Sequence, residues 1–134
     1  MNADEIERFL REAFPHGTSP HVEYADGKRT LLRLQYQQSQ LRPGGTLSGP
    51  TMMSLADTAM YSLVLSAIGF QPLAVTTQLS INFLSKPRPV DLIAEARMLR
   101  LGKVLATGDV FIRSDGSSDA CAHAVVTYAL PPRK

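Results

Sequence analysis

Apolar positions along the chain change period several times, and each change marks an element. Ile6, Phe9, Leu10 and Ala13 fall at helical spacing, which predicts an amphipathic helix over residues 3 to 14 that Pro15 stops. His21-Val22-Glu23-Tyr24 and the run 30 to 37 read as two strands, with Asp26-Gly27 as the hairpin signal between them. In the second strand Leu32, Leu34 and Tyr36 face one way, and Arg33, Gln35 and Gln37 the other. Residues 39 to 47 read as a loop around Pro43-Gly44-Gly45. Ser48 then reads as an N-cap, Pro50 fits the first turn, and Gly69 ends the helix between them. That helix is apolar on nearly every side, so other structure must wrap it. The rest is strand-rich: 73 to 84, 91 to 101, 104 to 113 and 120 to 130. In the second of these, Leu92, Ala94, Ala96 and Met98 share one face. Pro87 and Pro89, Gly102-Lys103 and Ser114-Asp115-Gly116-Ser117 punctuate the runs.

The order is helix, two strands, one long apolar helix, then four strands. It predicts an α+β fold in which an antiparallel sheet curls around a single central helix. The 134 residues suit one domain, 1–134, with residues 1–18 as an N-terminal helical extension. An exposed helix side and an open sheet edge favour self-association, as a dimer or a dimer of dimers.

Composition narrows the function classes. Apolar residues make up 44% and charged residues 19%, which excludes a disordered chain. The net charge of +2 does not point to nucleic acid. Lys86, Arg88, Arg97, Arg100 and Lys103 do gather in one stretch, but no aromatics interleave with them to stack bases. The lone cysteine, Cys121, excludes an intrachain disulfide and fits a reducing compartment. The acidic start lacks a secretory pattern, so a cytoplasmic location is expected. The central helix approaches membrane-span length, but Asp57, Ser54, Thr58, Ser62 and Ser66 favour a buried helix of a soluble protein. His16, His21 and His123 are scattered, without metal-ligand spacing, so no metal is expected. Cys121 reads as a small buried side chain, and Met52, Met53 and Met60 as core filling.

Asp57 is the only charge between residues 51 and 68. An ionised carboxylate in a packed interior is costly unless paired, so it serves a purpose or stands at an opening. It is either a functional carboxylate or a structural one satisfied by backbone or by Arg42, and perturbed carboxylates cluster at sites.

The stretch 44 to 112 resembles the hotdog-fold acyl-CoA thioesterases, in particular their PaaI-like (phenylacetic acid degradation) branch. The text that carries the resemblance is Gly45-Thr46-Leu47-Ser48-Gly49, Leu55-Ala56-Asp57-Thr58-Ala59 and the run 74 to 84. Pro87-Arg88-Pro89, Asp91-Leu92 and Gly102-Lys103 extend it. Family members usually carry Gly-Thr-Leu-His-Gly-Gly at the helix start, with the catalytic Asp nine positions after the His. Here Asp57 is nine after Ser48.

The resemblance implies hydrolysis of small to medium acyl-CoA thioesters without metal or redox cofactor. The N–H of Gly49 would form the oxyanion hole, aided by the helix dipole. Asp57 would be general base or nucleophile, acting across a dimer interface from Gly49, and Thr76 would help place the water. Tyr61, with the methionines, would set pocket depth. Arg88, Arg100 and Lys103 are candidates for the coenzyme A phosphates. Three positions depart from the pattern: Ser48 replaces the His, Pro50 replaces the second Gly, and Arg42 replaces an Asn. Ser48 has no Gly-x-Ser-x-Gly elbow and reads as a cap, not a nucleophile. Pro50 removes an N–H from the helix start. Arg42 could pair with Asp57 and blunt it as a base, or bind an acidic acyl group or phosphate. The alternative reading is a non-catalytic acyl-CoA or acyl-carrier binding protein. A dehydratase on this fold is disfavoured, since no His lies in the helix-start motif.

Overall fold

The computed structural model describes residues 1–15, 19–37, 41–42 and 46–132, with the side chains of 41, 42, 46 and 47 outside that description. The elements are α1 (Ala3–Ala13), β1 (His21–Ala25), β2 (Arg29–Leu34), β3 (Leu41–Arg42), β4 (Thr46–Leu47), α2 (Gly49–Ile68), β5 (Val75–Phe83), β6 (Leu92–Leu101), β7 (Leu105–Ser114) and β8 (Ala120–Ala129). Strands β1-β2-β6-β7-β8-β5 form one antiparallel sheet in that order, and β3 pairs with β4 in a separate two-stranded ladder. The sheet curls around α2, which is the hotdog arrangement expected from the sequence.

The wrapping follows from side-chain alternation. Thr30, Leu32 and Leu34 of β2, Leu92, Ala94 and Ala96 of β6, Ala106, Val110 and Ile112 of β7, and Ala122, Ala124 and Val126 of β8 are all buried. Against them lie Leu55, Ala56, Ala59, Met60, Leu63 and Val64 of α2. Small residues on the middle strands let the sheet approach the helix closely. Gly108 is the extreme case: a Cβ there would stand 2.7 Å from both the Arg97 carbonyl oxygen and the Met60 sulfur.

The hydroxyls of the central helix find local acceptors. Ser62 Oγ donates to the Thr58 carbonyl at 2.8 Å, and Ser66 Oγ to the Leu63 carbonyl at 2.8 Å. Thr30 reaches in from β2 to donate to the Ala59 carbonyl at 3.1 Å. α2 is long and apolar enough to cross a membrane by length and composition, yet half of that window is buried inside this fold. α1 packs on α2 through the fully buried Ile6 and Leu10, and Asn2 caps it in a reciprocal capping box with Glu5.

Several expectations need correction. The run 39 to 47 is not all loop, because Leu41–Arg42 and Thr46–Leu47 pair as β3 and β4. Its central Pro43-Gly44-Gly45 lies outside the described residues. The second strand stops at Leu34, three residues early, and Tyr36 is exposed rather than facing inward. Met52 and Met60 fill the core, but Met53 is exposed on the outer side of α2. Cys121 is buried as expected, its thiol donating to the Ile112 carbonyl at 3.3 Å, and burial pushes its pKa up.

Candidate functional site

Asp57 sits midway along α2 where the helix leaves the cover of the sheet, and it is partly exposed. Two hydroxyls converge on its Oδ1. Thr76 Oγ1 donates at 2.6 Å, and the Tyr128 hydroxyl lies at 2.9 Å. The same Tyr128 hydroxyl stands 3.2 Å from the main-chain oxygen of Asp57. Thr76 and Tyr128 are direct cross-strand partners on β5 and β8. A bulge at Thr77 breaks the register just after Thr76, a common device for re-aiming a side chain beside a site.

Tyr128 is 4% exposed. Burial, together with the neighbouring Asp57, drives its phenol pKa well above the usual tyrosine value, against an opposing hydrogen bond from Thr76. Its ring stacks on Tyr61 at 5.7 Å and 14°. Tyr61 lies one helical turn after Asp57, and its hydroxyl donates to the Pro72 carbonyl at 3.1 Å. Burial raises the Tyr61 pKa too.

A groove of roughly 280 Å3 opens beside this cluster. Leu10 and Phe14 of the α1 end, Tyr61, Pro72, Ala74 and Val75 supply its apolar wall, and among the described residues Asp57 is the only charged one that lines it. A second recess of roughly 320 Å3 shares Leu10, Phe14, Asp57 and Thr58 and runs on past Ser54.

At the other end of the motif, Ser48 caps α2. Its Oγ accepts from the Thr51 amide at 3.2 Å, and its carbonyl accepts from the Met52 amide at 3.3 Å. Helix geometry leaves the first amides without intrahelical partners. Pro50 has no N–H, and the Thr51 and Met52 amides are taken by Ser48. Among the described residues, that leaves Gly49 as the one amide of the first turn without a hydrogen-bond partner, on the positive end of the helix dipole. Gly49 is also a close-approach position, since a Cβ there would lie 3.3 Å from the Phe83 ring.

The structure places Asp57, Thr76, Tyr61 and Tyr128 together. It does not bring Gly49 to Asp57. The two lie eight residues apart on one helix, about 12 Å at 1.5 Å per residue. One carbonyl cannot meet both within a single chain. The basic candidates also divide. Arg100 and Lys103 are exposed at the end of the sheet near Tyr128, whereas Arg88 lies at the far end of β6. There its guanidinium donates to the Asp115 carbonyl at 3.0 Å. Arg42 falls in β3, and its side chain lies outside the described residues. His123 and His21 each face a carboxylate, Asp109 at 3.1 Å and Glu7 at 3.5 Å, away from Asp57.

Tyr128 was missed because tyrosine is ordinary in a strand. A signal was present: the inward line of β8 runs Ala122, Ala124, Val126, Tyr128, and only its last member carries a polar atom.

A central carboxylate helix wrapped by a six-stranded antiparallel sheet defines the hotdog class. The thioesterase superfamily profile matches residues 44–121, more than half of the chain, and the chain belongs to that superfamily. A candidate thioesterase from Silicibacter sp. TM1040 has a solved structure that is similar, with 40% identity and a TM-score of 0.89. That match covers 98% of this chain and 93% of the other. Zebrafish thioesterase superfamily member 2 shares the fold at 17% identity, with a TM-score of 0.85 and coverage of 98% and 99%. A candidate esterase of Saccharolobus solfataricus is 30% identical over 74% of this chain, and the match spans 65% of that relative's length.

Proposed function

We propose that this protein hydrolyses acyl-CoA thioesters of small to medium, uncharged acyl groups, in the manner of the PaaI-like branch. The observation that carries the reading is the Asp57 carboxylate. Two hydroxyls orient it at the mouth of an apolar groove, on a helix whose first turn keeps one amide unpaired among the described residues. Asp57 serves as general base for water or as nucleophile, and the Gly49 N–H donates to the developing oxyanion. The groove suits an uncharged acyl group, since the only charge among its described lining residues is negative and a second carboxylate would be repelled. Arg100 and Lys103 stand on the Asp57 side to meet coenzyme A phosphates. Ser48 and Pro50 shape the helix start rather than react.

The reading requires a second copy of the chain. Gly49 lies under Phe83, and Asp57 lies by Thr76, at opposite ends of β5. β5 is an edge of the sheet, and Val75 and Phe83 are half exposed on it. Antiparallel pairing of two β5 edges about the middle of the strand would bring the Thr76 end of one copy towards the Phe83 end of the second. Gly49 of that copy would then approach Asp57. A dimer of this kind, alone or doubled, completes two sites.

The test is release of free CoA thiol from short-chain, long-chain and aryl acyl-CoA esters, with wild type and Asp57→Asn side by side. Turnover that depends on Asp57 is expected. Mixing Asp57→Asn with Gly49→Pro chains should restore activity in mixed dimers; no rescue would mean that the site does not span two chains. The loss of the Pro50 N–H favours one second reading, a binding protein without turnover. Acyl-CoA that raises the melting temperature yet is never cleaved would establish it.

A further inference from the structure

We propose that Tyr128 is a positioning residue for Asp57: with Thr76 it fixes Oδ1 and leaves Oδ2 as the oxygen that meets the substrate. This rests on the thioester hydrolase reading.

The single Tyr128 proton goes to Oδ1 at 2.9 Å or is shared with the main-chain oxygen of the same residue at 3.2 Å, which ties the carboxylate to its own backbone. Thr76, at 2.6 Å, adds a second donor to that same Oδ1. With Oδ1 placed relative to its own backbone, the direction of Oδ2 follows. Among the described residues no hydrogen bond reaches Oδ2. The clamp is itself rigid. Tyr128 is buried in the strand ladder opposite Thr76, its ring lies against Tyr61, and Tyr61 is tied to the Pro72 carbonyl. Burial keeps the phenol protonated, so it stays a donor across the working pH range.

The division of labour matters for either route of attack. As a base, Oδ2 takes a proton from water while the water oxygen bonds to the thioester carbonyl carbon. The C–S bond then breaks, and the leaving thiolate takes the proton back from Oδ2. As a nucleophile, Oδ2 bonds to that carbon directly and expels the thiolate. Water then cleaves the mixed anhydride. In both routes a carboxylate free to rotate would present either oxygen, and misplacement by about 1 Å can cost a hundredfold in rate.

The test uses Tyr128→Phe, which keeps the ring stack, and Thr76→Val as an independent removal of the second donor. Two readouts are taken: steady-state kinetics across pH, and the 13C carboxyl titration of Asp57, assigned by its loss in Asp57→Asn. The expected result is a kcat lower by about ten- to a hundredfold with KM within about threefold. The acid limb of the pH–rate profile and the carboxyl titration should both move to higher pH, because the charged form has lost a donor. A titration midpoint unmoved in both variants of an active enzyme overturns the positioning role and leaves the hydrolase reading standing. A moved midpoint in a protein that cleaves no thioester supports the clamp and overturns the hydrolase reading. Should Tyr128→Phe not fold, Thr76→Val decides by the same two readouts.

Discussion

The ring of Phe83 stands 3.3 Å from the place a Cβ on Gly49 would take. That spacing is tighter than ordinary contact, so Gly49→Ala must push the ring aside. The helix gains less than the interior value of about 1 kcal/mol from the exchange, since Gly49 is its first residue. Phe83 is half exposed and can move. Gly49→Ala is therefore expected to leave stability within about 1 kcal/mol of wild type. The coupling should show in a double-mutant cycle with Phe83→Ala, at about 0.5 kcal/mol or more. Urea denaturation of the four proteins measures it, and a coupling of zero would place Phe83 elsewhere in solution.

Ser48 offers a clean separation of cap from chemistry. Its Oγ accepts the Thr51 amide, the geometry of an N-cap. Ser48→Ala should cost about 1 kcal/mol, while Ser48→Asp should keep the cap. Under the reading given above, kcat/KM of Ser48→Ala should fall by less than about tenfold, because no bond to the substrate is lost. A collapse of turnover with a normal fold would give Ser48 a direct role in the reaction.

The legible part of this protein was the part written in periodicity. The long helix from a Ser48 cap to Gly69, the inward line Leu92, Ala94, Ala96, and the hairpin at Asp26-Gly27 all follow from spacing and turn chemistry. Asp57 announced itself because a lone charge in an apolar helix is costly. Pairing was not legible. That Thr76 and Tyr128 stand opposite each other depends on the β5–β8 register, which joins residues 52 positions apart in the chain. A bulge at Thr77 sets that register locally, and nothing in alternation alone reveals it. The two-residue strands β3 and β4 fell below the length at which a pattern can be seen. Met53 was misjudged because a helix that is apolar all round hides which side faces out.

Gly108 should be among the least tolerant positions. A Cβ there would meet the Arg97 main-chain oxygen and the Met60 sulfur, each at 2.7 Å. The methionine can yield, but the carbonyl of a paired strand cannot without breaking the β6–β7 ladder. Gly108→Ala should destabilise by about 1 to 3 kcal/mol. Met60 is fully buried and Met60→Ala has its own cost, so the relief is read as the coupling in a double-mutant cycle, which should be smaller than the Gly108→Ala cost since the backbone contact remains. A coupling equal to that whole cost in denaturant melts would show that the sulfur alone fills the space.

High pH gives the last test, and its sign follows from burial. The folded-state pKa of Tyr128 lies above its ordinary value of 10.0, because burial and then Asp57 oppose the phenolate. Above pH 10 the unfolded chain releases that proton while the folded chain keeps it. The unfolded state then binds fewer protons, so stability falls as pH rises. Such a group contributes a slope of up to about 1.4 kcal/mol per pH unit once the unfolded form is ionised. Tyr61 and Tyr24 are shifted in the same direction, so the wild type should lose stability steeply beyond pH 10. Tyr128→Phe should remove one group's share of that slope while lowering stability at pH 8, where only its hydrogen bonds to Asp57 are lost. Urea melts of both proteins between pH 8 and about 11.5 decide it. Parallel curves would mean that the Tyr128 phenol ionises in the folded state as readily as in the unfolded one, and that the clamp on Asp57 opens in alkali before the fold does.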